Sequence, residues 1–330
     1  MTAKRPEFRD RRSPTSPKPL PPDLLALADR ALRPSSPARD VVQTYLTANT
    51  LALGRAEDRA RHNEPDSVHK MRVSLRRLRS ALRTFAPLLD PDWSDPLRDE
   101  LSWLGGELGP YRESEVLAGR FAAHAGPGIS TGLEVLDAAL TTRHGEARTA
   151  MLRALGSARF LALRDSLDDA CRHPRTTAYA AGAARDVLPD CVAHEWAVLN
   201  RRAAHALAAE QSTPAPDADW HSTRIAAKRA RYAIDAVAPA LAGIAEPLAG
   251  RMSDVTDVLG EHQDAAQAAE LAAALAGELA LDSGTNQAEA IYSLGVLHDI
   301  ERDRVSMARQ AFADLWPDIN TSDLTGWFRR

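Results

Sequence analysis

Residues 68–89 read VHKMRVSLRRLRSALRTFAPLL, and residues 220–241 read WHSTRIAAKRARYAIDAVAPAL. At an offset of 152, His69 meets His221, Arg72 meets Arg224, Arg76 meets Lys228, Arg77 meets Arg229, Arg79 meets Arg231 and Pro87 meets Pro239. The match resumes at an offset of 151, where Leu108-Gly109 meets Leu259-Gly260 and Glu113 meets Asp264. A period of about half the chain is a duplication, not a solenoid repeat. Sustained period-2 alternation and Asn-Gly or Asp-Gly hairpins are missing. The pattern predicts an all-α fold of two four-helix bundles related by a pseudo-twofold. The second helix of each bundle then carries the same polar constellation to a shared interface.

Outward from the repeat, Pro and Gly breakers cut the chain into eight expected helices. These fall near 38–62, 66–86, 94–124, 130–172, 176–210, 218–238, 245–280 and 285–316, with Gly156 a candidate break in the fourth. Residues 1–37 hold eight of the 21 prolines together with Lys4, Arg5, Arg9, Arg11, Arg12 and Lys18. That stretch reads as a flexible tail, in which the apolar patch Leu24–Leu32 suits one or two docked helical turns. Residues 38–330 form the domain, with halves of about 38–174 and 175–330.

Over 330 residues, 41 Lys and Arg stand against 45 Asp and Glu, a net charge of −4. A polyanion site must therefore come from local segregation of charge. Aromatics are only 5% of the chain, which favours helices packed through small side chains. Cys171 and Cys191 make neither a disulfide framework nor a metal knuckle and read as reduced thiols of a cytoplasmic protein. No apolar run approaches the roughly 18–20 residues of a membrane span, and the first residues lack the apolar core of a secretory signal. Membrane, collagenous and disulfide-rich classes are excluded.

The first copy carries the chemistry most plainly. His69, Arg72, Arg76, Arg79 and Arg83 fall on one helical stripe about 21 Å long at a rise of 1.5 Å per residue. Val68, Met71, Leu75, Leu78, Leu82 and Phe85 form an apolar stripe beside it, while Lys70, Ser74, Arg77 and Ala81 hold the outer face. From Ser67 to Leu89 there are six Lys or Arg and no acid. A solvated face usually interleaves acids at i+4. Cations crowded at a core boundary without them imply a bound anion. His221, Arg224, Lys228 and Arg231 repeat the stripe, and Asp235 ends it where Arg83 stands in the first copy.

Guanidinium forks along some 20 Å suit a string of phosphates rather than one carboxylate. Single-stranded nucleic acid needs stacking aromatics, and only Trp220 and Tyr232 adjoin the stripe, neither repeated in the first half. Duplex reading needs an open recognition helix, whereas these helices are flanked by apolar residues. A flexible polyanion without bases fits best.

VHKMRVSLRRLRSALRTF, LSWLGGELGPYRESEV, WHSTRIAAKRARYAI and VLGEHQDAAQAA resemble, in order, the blocks of the CHAD domain, the conserved histidine α-helical domain. The resemblance covers about residues 38–316. It implies a two-bundle helical fold that binds inorganic polyphosphate along a basic central groove, with no catalysis, at polyphosphate granules or elsewhere in the cytoplasm. By motif match, His69, Arg72, Arg76, Arg77, Arg79 and Arg83 carry over as polyphosphate-binding residues from the first block. His221, Arg224, Lys228, Arg229 and Arg231 carry over from the second, and His262 from GEHQD. Glu113 and Glu115 stand where family members commonly show aspartates, and Asp235 replaces a base. CHAD domains often follow a triphosphate-tunnel domain with an ExExK signature, whereas Glu113-Ser-Glu115-Val-Leu117 lacks the lysine. A stand-alone CHAD protein is expected.

The alternative is a metal-chelating or phosphate-ester-processing enzyme using the repeated histidines, His69, His221 and His262 converging with Glu113 or Asp264. No HxxxH, HExxH or CxxC pair is present, and cationic neighbours oppose a divalent ion. There is no GxxxxGK[ST] loop and no close carboxylate pair repeated in both halves. Neither a metal nor a cofactor is expected.

Overall fold

Breakers and caps divide the chain much as its sequence suggests. The computed structural model describes residues 21–124, 126–212, 215–281 and 287–328. Its helices are α1 (Pro22–Ala28), α2 (Ala38–Arg61), α3 (Ser67–Thr84), α4 (Pro91–Glu107), α5 (Gly109–Ala122), α6 (Ser130–Leu155), α7 (Ala158–Arg172), α8 (Ala184–Ser212), α9 (Asp217–Leu281), α10 (Ala288–Ile319) and α11 (Ser322–Thr325). Among the described residues there is no strand, only the isolated bridges Pro37–Ala183 and Leu89–Thr176. The fold is all-α, and no described helix is long and apolar enough to cross a membrane.

Differences from the expected spans have local causes. The expected helix 94–124 breaks at Leu108, because Pro110 in the first turn of α5 supplies no N–H to the turn before it. Helix 130–172 breaks at Gly156, where the Ser157 hydroxyl accepts from Phe160 N–H and caps α7. Asp66 stands at the N-cap of α3 with φ 62°, and its side chain makes no cap bond; the Ser67 hydroxyl instead donates to the Glu64 carbonyl at 2.6 Å. Of the expected tail, residues 1–20 lie outside the described residues. α1 docks through Leu24, buried against Leu51 and Cys171.

The decisive element is α9, which is two helices joined at the non-helical Leu241, φ −123°, between Pro239 and Pro247. Contacts of Trp220 with His262, His221 with Gln263 and Arg231 with Thr256 show that its two arms run antiparallel. α3 is followed by α4 and α5, both of which pack against it, and α3 also packs against α9.

The core does not stop at the boundary between halves. One large cluster joins Met71, Leu75 and Leu78 of α3 with Trp196 and Leu199 of α8, Ile234 of α9 and Phe312 of α10. A second joins Leu117, Phe121, Leu136 and Leu140 to Leu271, Leu294 and Leu297.

Where α6 crosses α10 the backbones touch. Gly132 N–H donates to the Ser293 hydroxyl at 3.0 Å, and a Cβ on Gly132 would lie 2.9 Å from that oxygen and 3.0 Å from Leu294 N. Gly132→Ala is expected to cost roughly 1–3 kcal/mol through overpacking, measured by urea unfolding. The same change at Gly145, which has no neighbour near its Cβ position, is expected to be neutral or slightly stabilising.

Candidate anion-binding site

Apolar flanks carry the basic residues together. Met71, Leu75 and Leu78 of α3 and Ala227, Ala230 and Ile234 of α9 are fully buried, so the stripes beside them meet at the α3–α9 contact. Arg76 Nε donates to the Tyr232 hydroxyl across this contact at 3.3 Å. Arg77 lies over the Tyr232 ring at 5.9 Å, on the side of Asp235 and Tyr45.

Electrostatics identify the neighbours. Burial lowers the Arg72 guanidinium from its ordinary value, and Arg76, Arg112 and Arg224 push the same way against Glu113. Burial also lowers Arg224, with Asp264 opposing and Arg76 adding. His69 is lowered by burial, then by Arg112, Arg76 and Lys228. Lys228 falls to about 8, through burial and then Arg224, Arg76 and Arg231. Further along, burial and Arg98 lower Arg79, while burial and then Arg83 lower Arg229.

Arginine is satisfied in two different ways in this molecule. Arg120 bonds Glu301 at 2.6 Å and forks onto Glu261, and Arg309 bonds Glu210 and Asp217. Among the described residues, no carboxylate comes within ion-pair distance of His69, Arg72, Arg76, Arg79, Arg83, Arg224, Lys228 or Arg229. The nearest pairs on these helices are Lys70–Asp66 and a 3.9 Å contact of Arg231 with Asp235. The Nε donors of Arg72, Arg77 and Arg224 are buried without a hydrogen-bond partner. Such a donor costs on the order of 1–3 kcal/mol unless something accepts from it.

The two helical excursions surround matched residues in matched ways. Arg72 faces Glu113, and Arg224 faces Asp264. Arg79 lies 3.6 Å from the position of a Gly105 Cβ, and Arg231 donates to Thr256, the residue 151 further on, at 2.6 Å. Arg72 also donates to the Gly105 carbonyl at 2.9 Å, near the end of α4. Its Nη1 stands 3.2 Å from where a Gly109 Cβ would be, so only glycine leaves it full room.

His221 is exposed and hydrogen-bonded to Gln263. His262 is not at the stripe. It is buried against Trp220, beside Arg309 at 3.2 Å and Asp217 at 3.5 Å. Burial and then Arg309 push it down to about 4. The three histidines do not converge, and no three His, Cys, Asp or Glu side chains among the described residues stand as a metal-holding group. Both cysteines are buried, and burial pushes Cys191 up to about 12.

Arg112 and Arg98 escaped the sequence reading because they are not repeated: Gln263 stands at the position matching Arg112. Both have local acids, Arg112 with Glu115 at 3.2 Å and Arg98 with Asp95 at 3.0 Å. A cavity of about 410 Å³ opens beyond Glu113, but Glu107, Glu113 and Glu146 in its wall make it a poor place for an anion.

An all-α protein with an unneutralised cationic seam between two helical excursions is the class these features define. Residues 44–273 match the CHAD domain family, and the chain belongs to it. Two solved structures are similar: PptA from Streptomyces chartreusis and the CHAD domain from the plant Ricinus communis. The first has 29% identity and a TM-score of 0.70, covering 86% of this chain and all of that one. The second has 26% identity and a TM-score of 0.65, covering 86% of this chain and 94% of that one. No curated protein matches.

The crowding has a stability signature. Lys228 binds its proton less tightly folded than unfolded, so the unfolded state holds more protons between about pH 8 and 10, and stability rises with pH across that window. Lys228→Met should be more stable than wild type at pH 7 by roughly 1–3 kcal/mol. The difference should shrink towards pH 10, as followed by urea unfolding at each pH.

Proposed function

We propose that this protein binds inorganic polyphosphate in a groove lined by the basic stripes of α3 and the first arm of α9, as a non-catalytic binding or targeting module built on a duplicated helical unit. The observation that carries the reading is the contrast between acid-paired arginines elsewhere and the unpaired cations here, with buried Nε donors on Arg72 and Arg224 at matched positions. Phosphate oxygens supply the missing acceptors and offset the repulsion. A chain of phosphates matches a stripe about 21 Å long better than a single anion does. His69, Arg72, Arg76, Arg79, Arg83, Arg224, Lys228, Arg229 and Arg231 are the proposed contacts. Arg77 and His221 lie at the margins, and His262 supports the fold of α9 from behind.

A base-free ligand is favoured by the aromatics. Trp220 is buried edge-on to Phe312 with its N–H on Glu210, and Tyr232 is spent on Arg76 and Arg77. Neither ring face is offered to a base. With these residues the protein would act in the cytoplasm, where polyphosphate granules are a natural destination.

Binding should weaken steeply with salt. Six to eight neutralised phosphates give a log–log slope of about −4 to −6 in a salt titration, whereas a slope shallower than about −2 would exclude the stripes as the site.

Arg72→Ala and Arg224→Ala should each cost on the order of 1–3 kcal/mol of binding. With long polyphosphate the two losses should nearly add. With a chain too short to bridge both helices, the double variant should lose little beyond the worse single one. Isothermal titration at fixed ionic strength decides. Equal binding by wild type and double variant would remove the groove.

A further inference from the structure

Only four of the 41 basic residues are lysines: Lys4, Lys18, Lys70 and Lys228. Lys70 is exposed, and Lys228 stands within the cationic seam, where the first copy has Arg76. On α9, Arg224 lies one turn before it and Tyr232 one turn after, and Tyr232 accepts from Arg76 Nε of α3 at 3.3 Å, so two guanidinium groups flank it. Arg231 and His69 also act on it, and Asp257 on the second arm of α9 opposes them. Its side chain is half-buried, and among the described residues it has no ion pair and no hydrogen-bond acceptor. Lysine differs from arginine here in one chemical respect: once deprotonated it is a nucleophile, and neighbouring cations favour deprotonation.

We propose that Lys228 is an acylation site for acyl phosphates, whose phosphate end is seated by the guanidinium groups around it. The lone pair of Nζ attacks the acyl carbon, the bond from that carbon to the bridging oxygen breaks, and inorganic phosphate leaves with the bonding electrons. The amine proton passes to the departing phosphate, giving an amide and hydrogen phosphate. Seating and leaving-group stabilisation are supplied by Arg76 and Arg224, since charge develops on the phosphate as it departs. With its midpoint at about 8, the amine is mostly protonated at neutral pH and mostly free only above that midpoint. Acylation would remove one cation from the seam and place an acyl group within it, so modified protein would hold polyanions more weakly. The anion-seating half of this inference rests on the proposed function; the nucleophile does not.

The test uses the full chain and acetyl phosphate at pH 8, with site occupancy followed by peptide mass spectrometry after cleavage at acidic residues. Lys70, exposed and 3.7 Å from Asp66, is the internal reference. Lys228 is expected to react at least about tenfold faster than Lys70, with a pH–rate midpoint near 8. Lys228→Arg should abolish that adduct, and Arg76→Gln should slow its formation. With the uncharged reagent p-nitrophenyl acetate, the preference for Lys228 over Lys70 should fall. Excess polyphosphate should protect Lys228 and leave Lys70 untouched. Rapid acylation of Lys228 without protection would uphold the acylation site and move polyphosphate elsewhere. Polyphosphate binding with Lys228 no faster than Lys70 would overturn the acylation site and leave the binding site standing.

Discussion

Repulsion between like charges at the α3–α9 contact is the constraint to which the surrounding structure answers. Arg72, Arg76, Arg224 and Lys228 are drawn together by side chains that have no charge at all, the buried Met71, Leu75 and Leu78 on one helix and Ala227, Ala230 and Ile234 on the other. Each buried Met, Leu or Ile side chain contributes about 1.5–3 kcal/mol, enough in sum to press cations against one another. A protein selected for stability alone would place a carboxylate among them, as it does for Arg120 and Arg309. Here Glu113 and Asp264 stay beyond ion-pair distance of Arg72 and Arg224, an arrangement that the proposed polyanion would compensate.

Residue size and backbone shape complete the arrangement. α4 ends and α5 begins at Leu108, and the Gly105 carbonyl near that break accepts from Arg72. Gly109 leaves the same guanidinium room on the other side. Helix-end carbonyls carry partial negative charge, so Arg72 is oriented by a neutral partner that does not cancel its charge. Arg231 is oriented by the Thr256 hydroxyl at 2.6 Å, with Asp235 at the edge of ion-pair distance, 3.9 Å away. Orientation without neutralisation is what an anion site requires of its cations.

Much of this was legible in the chain. The stripe His69, Arg72, Arg76, Arg79, Arg83 follows from helical spacing alone, but of the expected outer face only Lys70 is exposed: Ser74 and Ala81 are buried and Arg77 is half-buried, because neighbouring helices cover that side of α3 as well. The hairpin at Leu241 was legible from Pro239 and Gly243, because proline and glycine disfavour a continuous helix. The break at Leu108 was not, since Leu101, Leu104, Leu108 and Tyr111 keep helical spacing across it and Pro110 is compatible with a helix start. His262 was misleading for a different reason. A single histidine in the GEHQD block has no period that tells inward from outward, and here it turns to Trp220 and Arg309, away from the seam. Arg112 was hidden because its matching residue is Gln263.

The acid-paired arginines have a role that the unpaired ones could not fill. Glu301, fully buried on α10, takes Arg120 and His124 of the first half at 2.6 Å each, while Arg120 also forks onto Glu261 of α9. Arg309 on the same helix reaches Glu210 of α8 and Asp217 at the start of α9. α10 thereby fixes both arms of α9 by charge-assisted bonds that are costly to break when buried. Repelling side chains on the first arm can separate only if the helices that carry them move, and these clamps oppose that motion. Charge that is neutralised behind the seam therefore allows charge to remain unneutralised within it.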